Sequence, residues 1–150
     1  MPGTYSQLLL HVVFSTKHRQ NWLTSEIAPR MYSYLGGIVR SEKCALLAIG
    51  GVADHVHLYL RWRPEVSISE LMRTLKSRSS RWLHDEFTHL SHFAWQEGYG
   101  AFTVSKSQEA AVKNYIARQA EHHRAIDFKS ELVDLLKRHD IEYDERYIFE

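Results

Sequence analysis

Residues 54–60, which read Asp-His-Val-His-Leu-Tyr-Leu, are the stretch that decides the fold of this chain. From His55 onward the apolar positions alternate with the others. Successive side chains of a β-strand point to opposite faces, so this alternation predicts a strand. Its core-facing positions are Val56, Leu58 and Leu60.

Further strands are predicted on both sides of this stretch. Residues 45–50 are a short apolar run, and Gly50-Gly51 mark a turn or bulge, so we expect a hairpin between the two strands. Residues 93–104 are aromatic and predict one or two later strands. Residues 5–14 predict a half-buried strand with Leu8, Leu10, Val12 and Phe14 on one face and Gln7, Leu9, His11 and Val13 on the other.

Helical spacing of apolar residues separates the strands. A first helix is predicted over residues 27–38, after a cap at Thr24 or Ser25. Ser67-Ile-Ser-Glu70 has the capping-box pattern and opens a second helix. The buried positions of that helix are Ile68, Leu71, Met72, Leu75, Trp82 and Leu83.

Two more helices are predicted near the C-terminus. Ser105-x-x-Gln108 is a second capping-box pattern and starts a helix that runs to about His123, and residues 128–139 form a last amphipathic helix. The order β-α-β-β-α-β-α predicts an α+β fold, a ferredoxin-like antiparallel sheet covered by helices, with a C-terminal helix that carries Tyr115.

The length and composition favour one domain. The chain has 150 residues, of which 44% are hydrophobic and 25% charged, which excludes intrinsic disorder. No repeat, linker or low-complexity tract divides it. We therefore predict a domain in residues 1–126, with residues 127–150 as an acidic C-terminal helix and tail of the same domain.

Other features restrict the class of protein. Cys44 is the single cysteine, which excludes an internal disulfide framework and a cysteine-based zinc cage. No apolar run is long enough to cross a membrane, and no basic segment precedes the apolar stretch near the N-terminus as in a signal peptide. These features predict a cytoplasmic protein.

The net charge of +1 conceals an asymmetry along the chain. Residues 1–126 contain 15 Lys and Arg against 10 Asp and Glu, whereas residues 127–150 contain 4 against 8. The body is therefore about +5 and the tail about −4, and a basic body suits an anionic partner. One hypothesis is that the acidic tail restrains the binding of such a partner by covering the basic body.

His55 and His57 are the strongest local signal for chemistry. Positions i and i+2 of a strand share a face, so both imidazoles project to the same side and can converge on one metal ion. The alternative is a pair of half-exposed histidines on a sheet face. The apolar strand around them, and Asp54 beside them, favour a site.

A second signal lies on the predicted helix after residue 108. Tyr115 and Gln119 are spaced i, i+4 and share one helix face, which His122 continues. The alternative is a tyrosine at the edge of the core with a surface glutamine. Tyrosine has a pKa near 10 and is a poor nucleophile at neutral pH, so a catalytic role requires a metal or a base nearby.

Together these residues resemble the small single-tyrosine HUH transposases of bacterial insertion sequences, including the REP-associated tyrosine transposases. Asp54-His-Val-His-Leu58 is similar to the HUH motif (histidine, hydrophobic residue, histidine), and Tyr115-x-x-x-Gln119 is similar to the family's tyrosine helix. The resemblance extends over about residues 5–123. Both motifs occur in order and at the family's spacing, and the segment after Ala125 is not matched.

The resemblance implies a reaction and a cofactor. Mg²⁺ or Mn²⁺ would be held by His55, His57 and Gln119. Tyr115 would be the catalytic nucleophile and would attack a phosphodiester of single-stranded DNA, forming a 5′-phosphotyrosine and releasing a 3′-OH. A second strand end could reverse this step and so transfer the strand.

The resemblance also implies partners: DNA hairpins at palindromic element ends, and a second copy of the chain, since family members are homodimers and in several of them the tyrosine helix completes the metal site of the other protomer. Gly98 and Gly100 would supply the joint for such an exchange, or simply a turn. The residues expected to grip the hairpin are Lys17, Arg19, Arg73, Lys76, Arg78 and Arg81, whose alternative is a solvated surface. Aromatic residues that would stack on bases, or else fill the core, are Trp62, Trp95, Tyr99 and Phe102.

Three alternatives remain open at this stage. A replication-type HUH nickase would use the same tyrosine chemistry, but such proteins are generally larger. A metal hydrolase would hold its metal through His55 and His57. The lack of acidic residues other than Asp54 near that strand argues against this alternative. A domesticated, non-catalytic DNA-binding protein would have no evident need for all four motif residues.

Overall fold

The computed structural model describes residues 3–148. The first two residues of the predicted domain (1–126) and the last two of the predicted C-terminal segment (127–150) lie outside the described part. The strands are β1 (Leu9–Ser15), β2 (Ala45–Val52), β3 (His55–Arg61) and β4 (Gly100–Thr103). The helices are α1 (Ala28–Ser41), α2 (Ile68–Glu86), α3 (Glu109–Ala117), α4 (Gln119–His122) and α5 (Phe128–Arg138). None of these helices is long and apolar enough to cross a membrane.

The four strands form one antiparallel sheet in the order β2-β3-β1-β4. The chain passes through β-α-β-β-α-β before its last helices, which is the ferredoxin-like arrangement and confirms the predicted α+β fold. In the register between β1 and β3, Val13 lies opposite His57 and Ser15 lies opposite His55. Both histidines therefore lie in the interior of the sheet.

One face of the sheet carries the main hydrophobic core under α1 and α2. Val56, Leu58 and Leu60 belong to this core, as the alternation in β3 predicts. Helix α2 begins as the capping box predicts, because the Ser67 hydroxyl accepts a 3.1 Å hydrogen bond from the Glu70 amide. The other large core residues are Leu10, Val12, Phe14, Met31, Leu35, Ile38, Leu71, Met72, Leu75 and Leu83.

The opposite face of the sheet is also covered, by α3 and α5. Phe128, Leu132 and Leu135 of α5 pack against Val13 and Phe102, and a separate cluster joins α3 to the sheet. The prediction of a half-buried strand at residues 5–14 is therefore wrong. The strand is Leu9–Ser15, and every one of its residues is buried because helices lie on both faces.

Gly50 and Gly51 lie within β2, not at a turn. They pair with His57 and Val56, and the irregularity of the strand falls between Leu46 and Ala48 instead. The absence of side chains allows close contacts: a Cβ on Gly50 would lie 2.5 Å from the Ile116 carbonyl oxygen of α3. Gly50 therefore sets how closely the tyrosine helix approaches the sheet.

Two predicted helix caps are also wrong, whereas the prediction of one or two strands in residues 93–104 is confirmed. The side chains of Thr24 and Ser105 cap no helix. Thr24 instead receives the first amide bonds of α1 through its backbone carbonyl, and a 3-10 turn, Lys106–Gln108, separates Ser105 from α3. Of residues 93–104, Gly100–Thr103 form a strand, with a further single bridge between Thr16 and Trp95.

The predicted helix to His123 is divided at Arg118. The Arg118 amide donates to the carbonyls of both Asn114 and Tyr115, which tightens the last turn of α3 and ends it. Helix α4 then begins at Gln119. Tyr115 and Gln119 thus lie on two short helices, with the interruption between them.

Candidate active site

The two histidines of β3 point from the sheet toward α3, α4 and α5. Both are fully buried, at 0% exposure, so the alternative of two half-exposed sheet histidines is wrong. The Nε2 atom of His55 lies 3.0 Å from Oε1 of Gln119. The structure therefore brings together the residues that the HUH resemblance singled out, and it does so within one chain.

Asp54 orients His55. Its carboxylate lies 2.7 Å from Nδ1 of His55, so the Nε2 atom faces Gln119 and the interior of the site. Burial disfavours a charge on His55, but the hydrogen bonds with Asp54 and Glu131 raise its pKa to about 9. A carboxylate behind a histidine in this position is a common arrangement at metal sites, because it fixes the ring and increases its basicity.

His11 of β1 orients His57 in a similar way. Nε2 of His11 lies 2.7 Å from Nδ1 of His57, and the two rings stack with centroids 5.0 Å apart. Burial and the neighbouring His57 lower the pKa of His11 to about 3, so its ring is neutral. This geometry fits the interpretation of His11 as a hydrogen-bonded sheet histidine that supports the pair.

Tyr115 lies beside this pair, with its ring centroid 5.6 Å from that of His57. Its hydroxyl donates a hydrogen bond to Glu131, and burial together with that carboxylate raises the pKa of the phenol above its usual value. The phenol is therefore protonated at neutral pH, and nucleophilic attack requires a compensating positive charge nearby.

Glu131 of α5 is the residue that sequence reasoning missed. It is 2% exposed, and its Oε1 lies 3.2 Å from Nε2 of His55 and 3.0 Å from Nε2 of His57. Its Oε2 accepts from Tyr115 and, at 3.1 Å, from Nε2 of Gln119. Burial opposes its charge, but hydrogen bonds from the histidines hold the pKa of this carboxyl well below its usual range.

One signal in the sequence could have found Glu131. It follows Phe128 by three residues and precedes Leu135 by four, so it lies on the apolar stripe of the last helix. An acidic residue at a core-facing position is rarely buried unless it has a partner. The presence of an acidic residue on that apolar stripe was therefore the sequence signal that could have identified Glu131.

The donor atoms of this site fit a divalent cation. His55, His57 and Glu131 offer ligand atoms that all lie within 4.8 Å of one another, and Gln119 adds an amide oxygen beside them. Imidazole, amide and carboxylate are ligands that Mn²⁺ and, with its preference for oxygen, Mg²⁺ accept. A second group, His122, His123 and Glu131, lies next to it and is less buried.

The residues predicted to grip DNA lie elsewhere. Arg73, Arg78 and Arg81 are exposed on α2, which covers the face of the sheet opposite His55 and His57. Lys76 is half-buried, and its ammonium donates to the backbone carbonyls of Gln96, at 3.0 Å, and Gly98. Lys76 therefore binds the backbone of the segment before β4, whereas the three arginines are accessible.

The remaining predicted DNA contacts fall into two groups. Lys17 and Arg19 are the first and last residues of the 3-10 turn that follows β1. Trp95 and Phe102 are buried in the core, which agrees with the alternative to base stacking. Tyr99 is 39% exposed. The Trp62 indole donates to the Val66 carbonyl at 2.7 Å.

The fold and the site define a class: α+β proteins of the ferredoxin-like kind with paired histidines and a tyrosine on a neighbouring helix. A family model described as "Transposase IS200 like" matches residues 4–119, and this chain belongs to that family. The match ends before α5, so Glu131 lies outside the matched segment.

Relatives and solved structures agree with this assignment. The chain is 31% identical over 116 residues to the transposase for insertion sequence element IS200 of Salmonella typhimurium, covering 74% of this chain and 76% of the relative. It is 27% identical over 122 residues to the ISDra2 transposase TnpA of Deinococcus radiodurans, covering 78% and 87%.

Two solved structures share the fold. A crystal structure of a Deinococcus radiodurans protein assigned as a transposase superposes with a TM-score of 0.66 at 30% identity, covering 79% of this chain and 95% of that one. A REP-associated tyrosine transposase bound to a REP hairpin superposes with a TM-score of 0.62, covering 82% and 73%. The second is 13% identical to this chain and supports the fold alone.

Proposed function

We propose that this transposase cleaves and rejoins single-stranded DNA through Tyr115, next to a divalent cation held by His55, His57 and Gln119. The observation that carries the proposal is the convergence of these side chains. The Tyr115 ring lies 5.6 Å from that of His57, and the Gln119 amide oxygen lies 3.0 Å from Nε2 of His55.

In the proposed reaction, the phenol oxygen of Tyr115 attacks the scissile phosphorus. A bond forms between this oxygen and the phosphorus, the bond to O3′ breaks, and the products are a 5′-phosphotyrosine and a free 3′-OH. The proton of the Tyr115 hydroxyl passes to Glu131, which accepts a hydrogen bond from that hydroxyl. O3′ takes up a proton as it leaves. A bound cation supplies positive charge that polarises the phosphate.

The same residues serve the joining step. A 3′-OH from another strand end attacks the phosphotyrosine, and Tyr115 leaves with its oxygen. One phosphodiester is exchanged for another, so the energy of the bond is conserved and the protein contributes mainly positioning and electrostatic stabilisation. Asp54 and His11 serve that positioning through their hydrogen bonds to the histidine pair.

We further propose that the DNA partner carries hairpins and that the protein acts as a homodimer. The hairpin proposal is supported by the shared fold with a transposase solved on a REP hairpin. Tyr115 lies against the histidines of its own chain, so a dimer that exchanges its tyrosine helices would have to move α3. Gly98, with a φ of 71°, lies upstream as a candidate joint.

A metal hydrolase is the second candidate, and Glu131 is the observation that favours it. The lack of acidic residues near the histidines counted against a hydrolase in the sequence, and that argument is wrong because α5 delivers a carboxylate 3.0 Å from His57. A hydrolase would transfer the strand to water and leave no covalent adduct, so trapping separates the two.

The test is a covalent-trapping assay. Purified protein is incubated with Mn²⁺ and labelled single strands from the flanks of its gene, and the products are separated on a denaturing gel. We expect a metal-dependent adduct that is lost in Tyr115→Phe, while hairpin binding is preserved. Adducts of equal yield from Tyr115→Phe would refute the assignment of the nucleophile.

Tyr59→Phe is the matched control for this assay. The Tyr59 hydroxyl also donates to a carboxylate, that of Glu109 at 2.8 Å, and it also lies on the side of the sheet that faces α3. Removing its hydroxyl should leave the adduct yield unchanged. Strand cleavage without any adduct, in the wild-type protein, would favour the hydrolase.

A further inference from the structure

Glu131 occupies the centre of the group of donor atoms, although it comes from an element outside the matched family segment. Its Oε1 contacts Nε2 of His57 at 3.0 Å and Nε2 of His55 at 3.2 Å. The carboxylate is 2% exposed. A charge buried to this degree is stable only with partners of opposite charge or with a metal.

Three contacts among these atoms have the length expected between neighbouring ligand atoms of a small divalent cation, a length that an N–H···O hydrogen bond also has. In an octahedral site with bonds of about 2.1 Å, neighbouring donor atoms lie about 3.0 Å apart. The contacts of His55 Nε2 with Gln119 Oε1, at 3.0 Å, and with Glu131 Oε1, at 3.2 Å, both have this length. His57 Nε2 is 3.0 Å from the same carboxylate oxygen.

We infer that Glu131 is a fourth protein ligand of the cation, so that α5 completes the metal site. The inference rests on the proposed function for the presence of the cation. It adds one negative charge to three neutral ligands, which suits the preference of Mg²⁺ and Mn²⁺ for carboxylates. Oε1 coordinates the cation, and Oε2 keeps the hydrogen bonds from Tyr115 and Gln119.

The packing of α5 holds Glu131 in this position. The Asp127 side chain caps the helix by accepting a 2.9 Å hydrogen bond from the Ser130 amide. Phe128, Leu132 and Leu135 dock the helix on the sheet. The carboxylate is therefore presented by a capped helix that is docked on the sheet, and not by a loop, which is how ligands are held with precision.

The rival explanation is that Glu131 only balances the charge of the histidines and leaves when a cation arrives. Titration of the full chain with Mn²⁺ in a calorimeter distinguishes the two. We expect Glu131→Ala, which removes the carboxylate altogether, to weaken Mn²⁺ binding at least as much as the loss of an outer-shell partner does, about 10- to 100-fold. Asp134→Ala is the matched control, since Asp134 lies on the same helix but is exposed and pairs with Arg138, and its affinity should equal that of the wild type.

The number of water molecules on the bound ion tests coordination directly. A six-coordinate Mn²⁺ with four protein ligands keeps two waters, which water-proton relaxation of the saturated complex counts. Glu131→Ala, which leaves no ligand atom at this position, should raise this number to three. Three waters on the ion in the wild-type protein would overturn the inference, and this measurement does not depend on whether any variant folds.

His57→Ala separates this inference from the proposed function. If His57→Ala loses Mn²⁺ binding and Glu131→Ala binds as tightly as the wild type or more tightly, the cation site stands and the role of Glu131 is refuted. If neither variant changes the affinity, the cation site itself is refuted, and the assignment of Glu131 as a ligand falls with it. Circular dichroism of each metal-free variant verifies the fold.

Discussion

At the scale of single residues, the candidate active site depends on side chains that the proposed reaction does not use directly. Asp54 and His11 hold the two histidine rings by hydrogen bonds of 2.7 Å each. Gly50 acts through the side chain it lacks, because it lets α3 and Tyr115 approach β2 closely. Nothing in the His-x-His pattern itself indicates these supports.

Gly50→Ala should therefore destabilise the protein. The new Cβ would lie 2.5 Å from the Ile116 carbonyl oxygen, which is backbone and cannot rotate away. We expect a loss of about 1–3 kcal/mol in the free energy of unfolding, measured by urea denaturation, because overpacking a close contact forces the backbone to shift.

Gly37→Ala is the control for this substitution. Gly37 lies inside α1, and among the atoms of residues 3–148 beyond the helix backbone a Cβ there would meet only Arg40 Nη2, at 4.0 Å. Alanine in a helix interior is favoured over glycine by about 0.5–1 kcal/mol, so this variant should be more stable than the wild type. Gly50→Ala with wild-type stability would contradict the close approach of α3 to β2.

At the scale of elements, the site is an assembly of β3, α3, α4 and α5. The strand contributes two histidines, α3 the tyrosine, α4 the glutamine and α5 the glutamate. The predicted order of the elements is confirmed. The predicted end of the tyrosine helix, at about His123, is wrong, because α3 ends at Ala117 and the interruption at Arg118 separates it from α4. The predicted last helix is also confirmed, but its contact with the site could not be derived from its own amphipathic pattern.

Leu132→Ala tests whether α5 is docked on the sheet. Leu132 is 6% exposed and packs in a cluster with Val13 and Phe102. Its truncation should lower the free energy of unfolding of the metal-free protein by about 2–5 kcal/mol, because it leaves a cavity under the helix.

Lys137→Ala, on the exposed side of the same helix, should change the stability by less than about 0.5 kcal/mol. If Leu132→Ala were equally neutral, α5 would not be docked as described. The measurement is chemical denaturation followed by tryptophan fluorescence.

At the scale of the whole molecule, charge is distributed unevenly between the body and the C-terminal segment. Within residues 127–150, helix α5 is packed into the core. The hypothesis that an acidic segment covers the basic body therefore applies to the residues that follow α5. Residues 141–150 contain four acidic residues and one arginine, a net charge of −3.

Removing residues 141–150 should raise the affinity for a DNA hairpin. The gain should be largest at low ionic strength and shrink as salt is added, since exposed charges are screened over about 10 Å at 0.1 M. Fluorescence anisotropy at several salt concentrations measures this.

The matched control keeps the chain length and replaces the four acids by their amides: Glu142→Gln, Asp144→Asn, Glu145→Gln and Glu150→Gln. If charge is responsible, this variant should bind DNA as the truncated protein does. Unchanged affinity in both variants would dispose of the hypothesis of a restraining tail.

The sequence by itself determined the order of the elements, the antiparallel sheet and the placement of His55 and His57 on one face, since these follow from local periodicity. It also indicated Tyr115 and Gln119, whose i, i+4 spacing is a property of one helix. Only the tertiary structure decided that Glu131 lies between the histidines and the tyrosine. That contact joins residues 74 positions apart (His57 and Glu131), and it arises from the docking of α5 on the sheet, which no local pattern specifies.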